Sequence, residues 1–138
     1  MKQLFPNLHI SINGGVARLE EARALLDGGL DGVMIGRAAY HQPWDILGTA
    51  DERIFGAAPP QPGPEAAARA MLPYIERHLS AGGRLHQITR HMLGLFAGRP
   101  GARAWRRHLS EGASGAGAGP ELVEAALERV AEAGRDAA

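Results

Sequence analysis

The sequence predicts an α/β unit built on a parallel sheet, followed by an all-helical unit. Three observations predict it. Two short apolar runs each end in a glycine-bearing turn and are joined by one amphipathic helix. A stretch with four prolines, Gly56 to Pro64, separates them from the rest. Beyond it the apolar residues recur at helical spacing to the C terminus. The expected boundaries are 1–56 for the α/β unit, 57–64 for a linker and 65–138 for the helical unit.

In the first unit, Leu8-His9-Ile10-Ser11-Ile12 alternates apolar and polar residues, as a strand does, and stops at Asn13-Gly14-Gly15. Ala17 to Leu26 reads as a helix, with Leu19, Ala22 and Leu26 on one side. Glu20 and Glu21 lie in its first turn, where the helix dipole favours them. Gly28-Gly29 close it. Val33-Met34-Ile35 form a second apolar run that stops at Gly36-Arg37, and Ala38-Ala39-Tyr40 begin another helix. A strand, a crossover helix and a parallel strand place both glycine turns at the same sheet edge. Glycine lets a backbone approach a ligand, a helix start offers free N–H groups to an anion, and the Arg37 guanidinium suits a phosphate. The plainer alternative is an ordinary strand-to-helix turn with a surface arginine. Neither turn has the spacing of a dinucleotide-binding fingerprint. In (β/α)₈ barrels the loops after the last two strands often hold a phosphate in this way, so the unit is expected to be the last two βα units of such a barrel. A whole barrel takes about 250 residues, so the chain is expected to be the C-terminal portion of a longer protein or a truncated reading frame.

After the second strand, Pro43 resets the chain before an expected helix from Trp44 to Ile54, with Trp44, Leu47 and Ile54 placed to pack on the sheet edge. Pro64 suits a first helical position, and Ala67, Ala70, Met71, Tyr74 and Leu79 form an apolar stripe. Pro73 within that stripe should kink the helix or split it. A second helix is expected over Arg84 to Phe96, with Leu85, Ile88, Met92, Leu95 and Phe96 inward and Gln87, Arg90, His91 and Gly94 opposite. A third, Ala102 to Leu109, buries Trp105 and Leu109 and turns Arg103, Arg106 and Arg107 outward. Gly112 to Gly119 is a small-residue loop. Pro120 opens a last helix with Leu122, Ala126, Leu127 and Val130 inward and a fraying tail.

Charge narrows the function. Formal net charge is +0, from 15 basic and 15 acidic residues, so no global field argues for nucleic acid. Yet between Glu76 and Glu111 there are seven Arg, four His and no Asp or Glu. Arg103, Arg106 and Arg107 stand at i, i+3 and i+4, on one helix face. Like charges gathered there cost stability in water, and a polyanion is the natural partner that offsets it; a merely solvated basic face is the alternative. With no cysteine there is no disulfide, thiolate metal site or thiol catalyst, and the His residues show no metal-binding pairing. No apolar run approaches the roughly 18 residues of a membrane span, so a soluble cytoplasmic protein is expected.

Taken together, INGGV at Ile12–Val16, DGVMIGRAAYHQPW at Asp31–Trp44, MLPYIERHL at Met71–Leu79 and ITRHMLGLFAGRPGARAWRRHLS at Ile88–Ser110 resemble the tRNA-dihydrouridine synthases, specifically their A subfamily. The last segment is the most specific. The resemblance implies an FMN-binding TIM barrel followed by a helical tRNA-binding domain. It implies hydride transfer from reduced FMN to a D-loop uracil at positions 20/20a, protonation by a cysteine, reduction of the flavin by NADPH, and a monomeric full-length enzyme. By the same resemblance, the phosphate motif falls on Asn13, Gly14, Gly15, Gly36 and Arg37. The tRNA contacts fall on Arg103 and Arg106, with Arg90, Arg99 and Arg107 in support. The catalytic cysteine has no counterpart here, so the piece alone is expected to be inactive. His9 and His41 are expected to be structural or one layer removed from the ligand. Two other readings remain: a non-catalytic RNA-binding helical remnant, and another FMN-barrel oxidoreductase such as a dihydroorotate dehydrogenase, against which the helical extension argues.

Overall fold

The structure, a computed structural model, describes residues 2–136. The chain divides into two compact units, Met1–Pro60 and Gln61–Ala138.

The first unit is mixed α/β. Strand β1 (Ser11–Asn13) runs parallel to β2 (Gly32–Met34), with Ser11 opposite Gly32, Ile12 opposite Val33 and Asn13 opposite Met34. Helix α1 (Leu19–Asp27) makes the crossover. Asp31 sets the register from just outside the ladder. Its carboxylate accepts the Ile10 N–H at 2.8 Å and pairs with the Lys2 ammonium at 2.7 Å, while its own N–H donates to the Ile10 carbonyl at 3.0 Å. Helices α2 (Arg37–His41), α3 (Pro43–Leu47) and α4 (Ala50–Phe55) complete the unit. Arg53 on α4 pairs with Glu20 on α1, and Arg23 donates to the Arg53 carbonyl at 3.1 Å.

Two expectations need correction here. The helix foreseen over Trp44 to Ile54 is two helices, broken at Gly48-Thr49, where Gly48 lies against the Trp44 ring. The break shifts the helical phase, so that Ile46 is buried and Leu47 is exposed. The strands are also three residues each, and β1 starts at Ser11 rather than Leu8, which is itself exposed.

The second unit contains only helices and turns among the described residues: α5 (Pro64–Ala70), α6 (Leu72–Ser80), α7 (His86–Thr89), α8 (Ala102–Gly112) and α9 (Pro120–Asp136). Pro73 splits rather than kinks, because it occupies the first turn of α6, where its missing N–H costs no helical bond. The inward stripe runs through Ala68 and Ile75, both fully buried, whereas Ala70 and Tyr74 are exposed. The split re-phases the helix, which sequence spacing across Pro73 had joined into one.

The continuous helix expected over Arg84 to Phe96 is not formed. Only the four residues of α7 are helical, followed by successive i to i+3 turns through Arg99. Trp105 offers a physical reason. Its indole N–H donates to the Met92 carbonyl at 3.0 Å, taking an acceptor that an α-helix would present to Phe96. Gly94 lowers the helical preference of the same stretch. The apolar residues still point inward: Leu85, Ile88, Met92 and Phe96 are buried, and the Phe96 ring meets Trp105 edge-on at 4.9 Å.

Helices α8 and α9 pack antiparallel, with Gly101 beside Val130 at one end and Gly112 beside Leu122 at the other. Trp105, Leu109, Val123 and Leu127 interlock between them. On α9 the deepest residue near the start is Val123, with Leu122 only partly buried, and the helix continues through Asp136 instead of fraying earlier. The last two residues of the foreseen tail, Ala137 and Ala138, lie outside the described residues.

A candidate phosphate cleft and a basic helix face

The cleft follows from the parallel register. Because Asn13 pairs with Met34, the chain leaves both strands at the same level, and the two turns open side by side. Gly14 and Gly15 have φ of 112° and 78°, a region that side chains disfavour, and nothing lies within 4 Å of where a Cβ would stand. The β1 turn is therefore an open backbone surface. The other wall begins at Gly36 and Arg37. Gly36 has φ of −96°, which any residue adopts; its missing side chain leaves room beside the Met34 sulfur, 3.4 Å from a would-be Cβ. The first N–H groups of α2 have no intrahelical acceptor, and no side chain among the described residues caps them. Arg37 is exposed and has no carboxylate partner among the described residues.

All five residues expected around a phosphate, Asn13, Gly14, Gly15, Gly36 and Arg37, line this one cavity of about 590 Å³. No Asp or Glu lines it. An open glycine turn, an uncapped helix start and an unpaired guanidinium around an acid-free cleft fit an anion. Met34 and His41 also line it and had not been assigned to it from sequence. The signal for His41 was its place four residues after Arg37, which puts both side chains on one face of α2. His9, by contrast, is absent from the lining and bonds Ser11 Oγ at 3.1 Å.

Three acids of this unit are held by nearby donors, and one of them, Glu21, accepts the N–H of the cleft-lining Ala17 at 2.9 Å. Asp31 is held below the usual carboxylate range, first by the Ile10 N–H and then by Lys2. Glu20 and Glu21 are lowered by backbone N–H groups and by Arg53 and Arg18 respectively.

In the second unit, Ala102, Trp105 and Leu109 pin α8 to the core at i, i+3 and i+7. The same periodicity turns Arg103, Arg106 and Arg107 to solvent, and none of the three has a carboxylate partner among the described residues. Arg99 is exposed in the turn leading into α8, one helical turn before Arg103. Arg90 is placed differently: it lies on the turn segment after α7 and its Nε donates to His91 Nε2 at 3.0 Å.

Among the described residues no cluster of His, Asp or Glu could hold a metal ion, and no helix is long and apolar enough to cross a membrane.

The chain thus joins an open cleft on a parallel βαβ unit, lined by glycines and one arginine, to a helical unit with an exposed arginine face. Comparison with known proteins narrows this. The profile of the dihydrouridine synthase family matches residues 1–131. The chain is 55% identical over 132 residues to the tRNA-dihydrouridine(20/20a) synthase of Escherichia coli (strain K12), covering 96% of this chain and 38% of that protein. The protein of the same name from Salmonella typhimurium is 55% identical, over 96% of this chain and 39% of its own length. That from Vibrio cholerae is 52% identical over 130 residues, or 94% of this chain and 39% of its own. The chain therefore belongs to the dihydrouridine synthase family, and it spans about two fifths of the length of these relatives.

Proposed function

We propose that this chain supplies the FMN-phosphate corner and the tRNA-gripping helical unit of a cytoplasmic tRNA-dihydrouridine synthase that acts on D-loop uridines 20/20a. In this reading β1, α1, β2 and α2 are the last two βα units of a (β/α)₈ barrel, and residues 65–138 are the tRNA-binding domain. The observation that carries it is the convergence of Asn13, Gly14, Gly15, Gly36 and Arg37 on one acid-free cleft.

FMN held there and reduced by NADPH would supply hydride for reduction of the uracil ring, a proton completing it. The chain's own residues bind and orient. The Gly14-Gly15 turn and the α2 start surround the phosphoryl oxygens with backbone, and Arg37 neutralises their charge. Arg103, Arg106 and Arg107, with Arg99 beside them and Arg90 in support, hold RNA phosphates. Such contacts set the register of the tRNA more than they read its bases. The sequence has no cysteine, so the acid that completes the reaction is not among these 138 residues.

Titration of the protein with FMN and with riboflavin, followed by flavin fluorescence, tests this reading. FMN should bind more tightly than riboflavin. Arg37→Ala should weaken FMN about tenfold, the effect of losing one charge-assisted contact, and leave riboflavin unchanged. Equal affinity for the two flavins, or colourless protein that still shifts tRNA on a gel, would favour an RNA-binding unit without flavin.

A further inference from the structure

The cleft holds a second nitrogenous side chain that the expected phosphate motif does not include. Arg37 and His41 are separated by one turn of α2 and both line the cavity. His41 is exposed, with its ring edge-on to Tyr40 at 5.5 Å. No Asp or Glu is among the residues that line the cavity, the Glu21 carboxylate being turned to the Ala17 backbone N–H.

We propose, building on the phosphate reading above, that His41 is a second side-chain donor to the phosphoryl group and that it makes the cleft select a terminal phosphomonoester over an internal phosphodiester. Three groups line the cleft: the Gly14-Gly15 turn on one wall, and the Arg37 fork and His41 ring along the α2 wall. A phosphomonoester has three non-bridging oxygens, one for each. A phosphodiester has two, and its second ester link must also leave through the cleft. One donor then loses its acceptor after surrendering its water, and that costs affinity. FMN ends in a monoester; FAD carries the same phosphorus inside a pyrophosphate link. Arg37 alone would attract both, because a guanidinium needs only two oxygens. His41 is thus a specificity residue that acts by direct contact, distinct from the charge-neutralising role of Arg37.

The test is nuclear magnetic resonance on the full 138-residue chain, titrated with inorganic phosphate, FMN, FAD and riboflavin. Inorganic phosphate and FMN should shift the backbone amides of Gly14, Gly15 and Arg37 and also the ring signals of His41; riboflavin should not. His41→Phe should weaken FMN roughly five- to tenfold, about one hydrogen bond to a charged group, and bring FMN and FAD to similar affinity. His41→Gln, which keeps an N–H of comparable reach, should restore most of the preference. Unmoved ring signals in the native protein, or a His41→Phe variant that binds FMN like the native chain while Arg37→Ala weakens it, would overturn the His41 assignment and leave the phosphate reading standing. If phosphate and FMN leave Gly14, Gly15 and Arg37 unmoved, the phosphate reading fails and His41 falls with it.

Discussion

Replacing Trp105 by Phe isolates the contact that organises the second unit. The indole is fully buried, its N–H donates to the Met92 carbonyl at 3.0 Å, and its ring meets Phe96 edge-on at 4.9 Å. Phenylalanine keeps the aromatic contact and loses the donor. The Met92 carbonyl keeps the Leu95 N–H, which it also accepts at 3.0 Å, so the loss is that of one buried hydrogen bond, about 0.5–1.5 kcal/mol. The smaller ring leaves a void that adds roughly 1 kcal/mol. The sum, about 1.5–2.5 kcal/mol, is a sizeable share of the roughly 5–15 kcal/mol that holds a domain together. With a urea dependence of about 2 kcal/mol per molar, the unfolding midpoint should drop by roughly 1 M. Urea titration followed by far-ultraviolet circular dichroism reads this directly, since most of the helix lies in this unit. An unchanged midpoint would refute the claim that the Trp105 hydrogen bond is what fastens the turn segment to α8.

Four more outcomes are open to measurement. Gly101→Ala should lower thermal stability by more than about 2 kcal/mol, because φ is +79° and a Cβ would stand 2.7 Å from Val130 Cα, forcing α8 from α9. Gly98→Ala, at φ of +75° with open space around it, should cost only about 1 kcal/mol. Burial holds the His108 imidazole below its ordinary value of 6.5, with Arg129 acting the same way and Glu111 opposing, and its Nε2 is buried without a partner. The unfolded chain therefore takes up a proton first. The His108 contribution should be complete above about pH 6.5 and decline as pH falls toward the folded value; in urea titrations at several pH values, a His108→Gln variant that keeps the full acid sensitivity would contradict this. Arg103→Ala combined with Arg106→Ala should weaken tRNA binding and reduce its salt slope by about one per lost phosphate contact; an unaltered slope would mark the face as solvated surface.

Local chemistry made much of this protein legible in advance. The glycine turn after β1, the split at Pro73, and the outward phase of Arg103, Arg106 and Arg107 follow from backbone sterics and helical period, which a short window of sequence contains. The resemblance to the dihydrouridine synthases was legible for the same reason, since its motifs are contiguous. Tertiary contacts decided what no window contains. Trp105 reached thirteen residues back for the Met92 carbonyl, where sequence spacing had foreseen an unbroken helix. Ile75 entered the core in place of Tyr74 because the α5–α6 break re-phased the stripe. Asp31 set the strand register across twenty-one residues, and that register placed His41 on the same cleft as Gly14 and Gly15. Periodicity fixes which side of an element is apolar; only packing between elements fixes which acceptor a buried donor finds and which turns share a cavity.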